Sequence, residues 1–258
     1  MSDAVLVARE AGIATVTLNR PHKLNALDLA MWDALAEAMT VLTGDQSVRV
    51  IVVTGAGEAF AAGADLAEFS AVRTTPEAAK AYNARMNRAL SALREAPQPT
   101  VAAIRGACAG AGLEIAVLCD IRLAAESSRF GAPIQRLGVT MPFPEIGYLV
   151  ELLGRAVTLE ILLEGRMFAA AEALQKGIVS RVLADSDFAQ EVAATARRLA
   201  EGAPLVHRWH KRFTRRCLDP RPLSEAEFME GFASVATEDY REGVRAFLAK
   251  EKPKFRGR

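Results

Sequence analysis

The most restrictive feature of the sequence is a bend built from small residues, Arg105-Gly106-Ala107-Cys108-Ala109-Gly110-Ala111-Gly112-Leu113-Glu114, set between apolar runs at 101–104 and 115–118. Three glycines and four small side chains let the main chain pass close to a neighbour or a ligand. The pattern reads as a strand, a tight bend and a helix over 112–118. Where such a bend opens a helix, its free N–H groups and the positive dipole end converge on one spot that favours negative charge. Glu114 stands in the first turn of that helix, within reach of whatever the amides hold. The residues alone leave a plainer reading open, in which Glu114 is a favourable first-turn acid and the glycines serve tight strand–helix packing.

A second small-residue loop, Ala59-Phe60-Ala61-Ala62-Gly63-Ala64-Asp65-Leu66, follows the β-branched run Val50-Ile51-Val52-Val53 and the turn residues Thr54-Gly55-Ala56-Gly57. It too stands after a strand and before a helical segment, and so can supply one more backbone N–H to the same centre. Two such loops from separate parts of the chain make a two-donor hole for an oxyanion.

Elsewhere the pattern alternates. A hairpin is predicted at 4–9 and 13–18, a helix capped by Asp28 at 28–42, strands at 49–53, 100–104 and 122–124, and a helix at 76–94. This rhythm suits a stacked α/β spiral whose sheet is covered on at least one face. Beyond Gly154 the chain reads as mostly helical: 156–164, 169–175, 187–201, 205–217, 224–236 and 238–250, with a short strand at 178–183. The segment 205–217 carries His207, Arg208, His210, Lys211, Arg212, Arg215 and Arg216, read as a solvated helix face. His207 and His210 lack a third ligand at metal spacing.

A chain of 258 residues, 51% of them apolar, can bury a large core in one or two domains. A formal net charge of +1 gives no global attraction to nucleic acid or a membrane surface. No run approaches the ~20 apolar residues of a membrane span, and residues 1–11 carry charges rather than a signal-type core. A soluble protein of the cytoplasm is expected. Cys108, Cys119 and Cys217 have neither CxxC spacing nor a pairing scheme and are expected as free thiols.

Five pieces of the sequence resemble the crotonase (enoyl-CoA hydratase/isomerase) superfamily, in family order from residue 19 to 247. They are Asn19-Arg20-Pro21-His22-Lys23-Leu24-Asn25-Ala26-Leu27, the 60–66 loop, the run from Gly106 through Glu114 to Cys119-Asp120-Ile121, Phe130-Gly131-Ala132-Pro133, and the segment 236–247. The resemblance implies an α/β fold, a crotonase-like spiral of ββα units, with residues 1–195 binding acyl-CoA and 196–258 forming a helical trimerisation region. It implies an acyl-CoA thioester substrate in fatty acid metabolism and a homotrimer or homohexamer. It calls for neither metal nor redox cofactor, coenzyme A arriving as part of the substrate, and for no nucleic-acid or membrane partner. By the same resemblance the thioester oxygen is held by the amides of Ala64 and Ala111, and Glu114 is the acid/base. Lys23 lies along coenzyme A, while Ala62, Asp65, Leu66 and Gly110 line its path. Asp65 has a second reading as a helix cap, and Arg20 reads better as solvated charge. Lys252, Lys254 and Phe255 are either nucleotide contacts or a frayed basic tail.

One departure bears on the chemistry. Family hydratases place a second glutamate directly after the proline of Phe-Gly-x-Pro, and that position here is Ile134. Hydration shares water activation and proton delivery between two carboxylates, and losing one such partner costs ~10²–10⁴-fold. Glu145 is the candidate second acid, with a helix first-turn role as its alternative. Phe143 is expected to wall the acyl pocket. The function expected is that of an enoyl-CoA hydratase-like lyase. The alternatives are an isomerase, decarboxylase or hydrolase on the same scaffold, and an acyl-CoA binding protein with impaired catalysis.

Overall fold

A computed structural model describes residues 3–258. Strands β1 (Val5–Glu10) and β2 (Ile13–Leu18) pair antiparallel, with Glu10 opposite Ile13. The two turn residues Ala11 and Gly12 both take positive φ, 48° and 79°, the left-handed geometry that follows the twist of the strands. Helix α1 (Leu29–Gly44) starts where Asp28 accepts the amide of Met31 at 2.8 Å. Next come β3 (Val50–Gly55), α2 (Phe69–Val72), α3 (Pro76–Arg94), β4 (Thr100–Ile104), β5 (Ala107–Ala109), α4 (Ala111–Val117), β6 (Ile121–Ala125) and β7 (Arg129–Gly131). The remainder is α5 (Phe143–Glu164), β8 (Phe168–Ala169), α6 (Ala170–Gln175), β9 (Arg181–Leu183), α7 (Phe188–Ala200), α8 (Pro204–Arg216), α9 (Glu225–Glu230) and α10 (Glu238–Ala249).

Six strands form the main sheet in the order β1-β2-β3-β4-β6-β9, parallel from β2 onward. Alternation along β3 and β4 sends side chains to two separate cores. Ile51, Val53, Ala102 and Ile104 join α1 and α3, whereas Val50, Val52, Val101 and Ala103 meet Phe188 and Ala196 of α7. Both faces are therefore covered, which is why these strands read as unbroken apolar runs.

A second, smaller sheet has the order β5-β7-β8 and continues through isolated parallel bridges, Ala61 with Cys108 and Leu27 with Ala64. Each long strand from β2 to β6 is thus followed by a short stretch in this second layer and then by a helical segment. That repeat of long strand, short strand and helix is the expected spiral. The sequence reading misses β5, β7 and β8 because two or three residues are too few to show a period, and β5 falls inside the bend read as a turn. The strand expected at 178–183 is confined to Arg181–Leu183, since Ile178 and Val179 spend their amides on the carbonyl of Ala173. Gly154, at φ 72° and ψ 166°, breaks α5 into two arms.

Helix α7 runs unbroken through 195 and 196, and Ala196 and Ala200 pack on the sheet. The basic row on α8 is not a solvated face. Lys211 pairs with Asp120 at 2.6 Å and donates to the carbonyl of Gln98 at 2.8 Å, Arg215 donates to the carbonyl of Arg94, and Arg212 and Arg216 pair with Glu230 and Glu227. The tail is folded back rather than frayed. Asp239 accepts the amides of Arg256 and Gly257, and Arg49 donates to the carbonyl of Phe255 at 2.6 Å. Large apolar side chains stand open to solvent in this region, Phe247 at 84% and Leu248 at 76% exposed. Among the described residues no helix is long and apolar enough to cross a membrane.

Candidate active site

The two small-residue loops meet. The amide of Ala61 donates to the carbonyl of Ala107, and that of Ala109 returns a bond to the carbonyl of Ala61, both at 3.0 Å. On its other edge the first loop is strapped to 24–27, through Ala62 to Leu24, Leu27 to Gly63 and Asp65 to Leu27. Gly63 takes φ +116°, and a Cβ there would press on the carbonyl oxygen of Ala109 at 3.3 Å and lie 3.9 Å from the amide nitrogen of Ala111. Gly112 has a different reason to be glycine: a Cβ would sit 2.3 Å from the carbonyl oxygen of Ala61, so a side chain would push α4 off the first loop.

This weave uses up the amides of Ala62, Asp65, Ala109 and Gly110 on protein carbonyls. Those of Ala64 and Ala111 have no acceptor among the described residues. Ala64, Ala111 and Glu114 line one cavity of about 160 Å³, together with Ala62, Leu66 and Gly110. Glu114 is 7% exposed, and its Oε2 has no hydrogen-bond partner. Burial, reinforced by the charge of Glu145, pushes its carboxyl up to about 8. At neutral pH a carboxyl so placed is mostly protonated. A wider cleft of about 520 Å³ lies between the sheet and α7, but its charged residues, Arg9, Glu10, Arg105 and Arg197, are all exposed. It offers no buried acid or base.

Along residues 8–258 the chain matches the model of the enoyl-CoA hydratase/isomerase family. The chain belongs to that family. It is similar over 98% of its length to a probable enoyl-CoA hydratase of Mycobacterium bovis, 34% identical, of which it spans 98%. It is 32% identical to the 1,2-epoxyphenylacetyl-CoA isomerase of Escherichia coli, with both chains covered in full. Among solved structures, that of an enoyl-CoA hydratase/carnithine racemase from Magnetospirillum magneticum superposes with a TM-score of 0.98 at 50% identity, covering 100% of this chain and 97% of that one.

Within this enoyl-CoA hydratase/isomerase family member, several residues singled out by sequence stand away from the cavity. Lys23 is exposed in a short 3-10 turn and does not line it. Asp65 is committed to structure: it pairs with Arg20 at 2.9 Å and caps the next turn by accepting the amide of Ala67. The Arg20 guanidinium holds the Asp65 carboxyl below its usual range. Arg20 is accordingly no solvated charge. It clamps the first loop by reaching Asp65, Asp28 and the carbonyl of Ala26. Phe143 does not wall the pocket either. It is 92% exposed, because the start of α5 turns it outward and leaves Met141 and Pro142 at the cavity.

Ile134 lines the cavity, so the wall is apolar where family hydratases carry the second glutamate. Glu145 stands in the first turn of α5, fully buried, and burial raises its pKa. Its Oε1 accepts from Asn83 Nδ2 at 2.9 Å, Asn83 in turn accepts from Asn87 at 2.6 Å, and its Oε2 is unpaired. Glu145 does not line the cavity, but Asn83 does. The sequence reading points to 66–90 for the shape of the pocket but names none of the side chains of this wall of α2 and α3, which includes Phe69, Arg73, Tyr82, Asn83 and Met86. Tyr82, Met86, Leu90 and Leu93 repeat at three- and four-residue spacing, a signal that finds the helix face without saying what it faces.

Proposed function

We propose that this protein is an acyl-CoA enzyme of the enoyl-CoA hydratase type, a lyase that holds the thioester oxygen between the amides of Ala64 and Ala111 and moves a proton with Glu114. The observation that carries this reading is the shared cavity: two amides without acceptors beside one buried, proton-bearing carboxyl. When a water oxygen bonds to the β-carbon, or a proton leaves or joins the α-carbon, electron density moves onto the thioester oxygen. Preorganised donors stabilise that charge, each by roughly 2.7–4 kcal/mol where single donors have been removed. The helix behind Ala111 has seven residues, so the weight falls on the two N–H groups themselves rather than on a long dipole.

Hydration adds OH to the β-carbon and H to the α-carbon. Glu114 delivers its proton to the α-carbon, and Glu145, the second carboxyl, acting from behind Asn83, takes up the proton that the water loses as its oxygen bonds to the β-carbon. Ile134 favours one further reading, a double-bond isomerase in which Glu114 alone takes a proton from one carbon and returns it to another. Lys23 serves the coenzyme A end of the substrate, and Ala62, Asp65, Leu66 and Gly110 form its approach, Asp65 by fixing the loop. We assign residues 196–258 to assembly of a homotrimer or homohexamer, supported by the exposed Phe247 and Leu248.

Loss of the conjugated absorbance of crotonyl-CoA reports hydration, and gain of that absorbance from a 3-enoyl-CoA reports isomerisation. Glu114→Gln is expected to slow whichever reaction occurs by ~10²–10⁴-fold. Full turnover in that variant overturns the assignment, and binding with no turnover in the wild type leaves an acyl-CoA binding protein.

A further inference from the structure

Arg73 is the charge in the cavity that the chemistry above does not use. It caps α2, donating its amide to the carbonyl of Phe69. Its guanidinium lies 4.5 Å from the centre of the Phe69 ring and 5.4 Å from that of Tyr82, and those rings meet edge to face at 5.8 Å. Tyr82 is fixed in turn, its hydroxyl accepting from Trp32 Nε1 at 3.3 Å. Both rings lie within cation–π distance of the guanidinium, yet none of its five donors reaches an acceptor and no carboxylate pairs with it among the described residues. Half-buried Arg20 and Arg216 behave differently. Arg20 is bonded to Asp65, and Arg216 to Glu227.

The surroundings say what such a cation fits. Arg73, Tyr82 and Glu114 line the same cavity, and Tyr82 lies within electrostatic range of both charged groups. Glu114 keeps its proton at neutral pH and does not cancel the positive charge. Much of the remaining lining is apolar, Met86, Ile134 and Leu137 among it. The volume of about 160 Å³ is close to that of a cavity of about 150 Å³ that holds one benzene molecule. A space of this size suits a short acyl group.

We propose that the site takes a short acyl group ending in a carboxylate, received by the guanidinium of Arg73. This rests on the acyl-CoA reading, since the thioester must lie at Ala64 and Ala111 for the far end to reach Arg73. An anionic end supplies the planar, two-oxygen partner that guanidinium prefers. The other anions of the same substrate are the phosphates of coenzyme A, and the experiment separates the two sources.

The test compares two 2-enoyl-CoA substrates of equal length, one ending in methyl and one in carboxylate, with the wild type, Arg73→Gln and Arg73→Lys. A charged hydrogen bond contributes ~1.5–3 kcal/mol, so kcat/KM should favour the carboxylate roughly tenfold to hundredfold in the wild type. Arg73→Gln should lose that ratio, and Arg73→Lys should recover part of it. Equal losses on both substrates, with weaker inhibition by free coenzyme A, assign Arg73 to the phosphates and overturn the proposal. So does a wild type that prefers the methyl end. Calorimetric binding of the matching saturated acyl-CoAs reads the same ratio without turnover, so a protein that binds with this preference but catalyses neither substrate contradicts the enzyme reading and not the assignment of Arg73.

Discussion

On one side of the cavity stand residues no larger than alanine, Ala62, Gly63, Ala64, Gly110 and Ala111, woven together by cross-strand hydrogen bonds. On the other stand Phe69, Arg73, Tyr82 and Met86, long side chains carried by α2 and α3. On the proposed function the first wall acts through its backbone and is indifferent to what lies beyond the thioester, while the second acts through side chains whose shape and charge select the acyl group. The contrast separates rate from selection: altering the small-residue wall should slow every substrate alike, and altering the side-chain wall should change which substrate is preferred.

The sharpest way to break this contrast is Ala111→Pro set against Met86→Ala. Proline is tolerated at the first position of a helix, where Ala111 stands, so this change removes one amide donor with the fold kept. We expect kcat to fall ~10²–10³-fold for acyl groups of every length. Met86→Ala instead widens the cavity, and steady-state kinetics across a chain-length series should move the optimum toward longer acyl groups by about tenfold in relative kcat/KM. An Ala111→Pro enzyme that changed its length preference while keeping its rate would erase the distinction.

A smaller effect concerns the carboxyl on the small-residue wall. Folded Glu114 holds its proton up to about 8, against 4.5 for an ordinary glutamate. Between those values the folded state keeps a proton that the unfolded chain has released. Stability contributed by this group is therefore complete below 4.5 and is lost as pH rises through about 8. Glu114→Gln has no such proton to lose. Thermal melts should show the variant gaining on the wild type across that window, by roughly 2–4 °C for each kcal/mol in a chain of this size. A gap between the two that does not change with pH would mean the burial of Glu114 leaves its ionisation alone.

The small-residue wall was the legible one. Glycines bracketed by apolar runs, Asp28 before an amphipathic segment and Ala11-Gly12 between alternating strands are local signals, and β2 to β4, α1 and α4 fall where these put them. The side-chain wall was hidden because the identity of Tyr82 or Met86 says it is buried, not that it faces Glu114. Arg20 misled for a related reason. A charged residue at a strand–helix junction reads as solvated, and its partner Asp65 lies 45 residues away. The basic row on α8 repeats the lesson, since Lys211 finds Asp120 across the fold. Glu145 was legible as a first-turn acid, but its burial against Asn83 depends on how α5 meets α3.

The central claim is that the thioester oxygen is held by two main-chain amides with Glu114 beside it, and a crystal structure with a bound acyl-CoA tests it most directly. The account predicts the carbonyl oxygen at roughly 2.7–3.1 Å from the nitrogens of both Ala64 and Ala111, with a Glu114 oxygen facing the α-carbon. A carbonyl bound to a side chain elsewhere, or touching neither nitrogen, would contradict it.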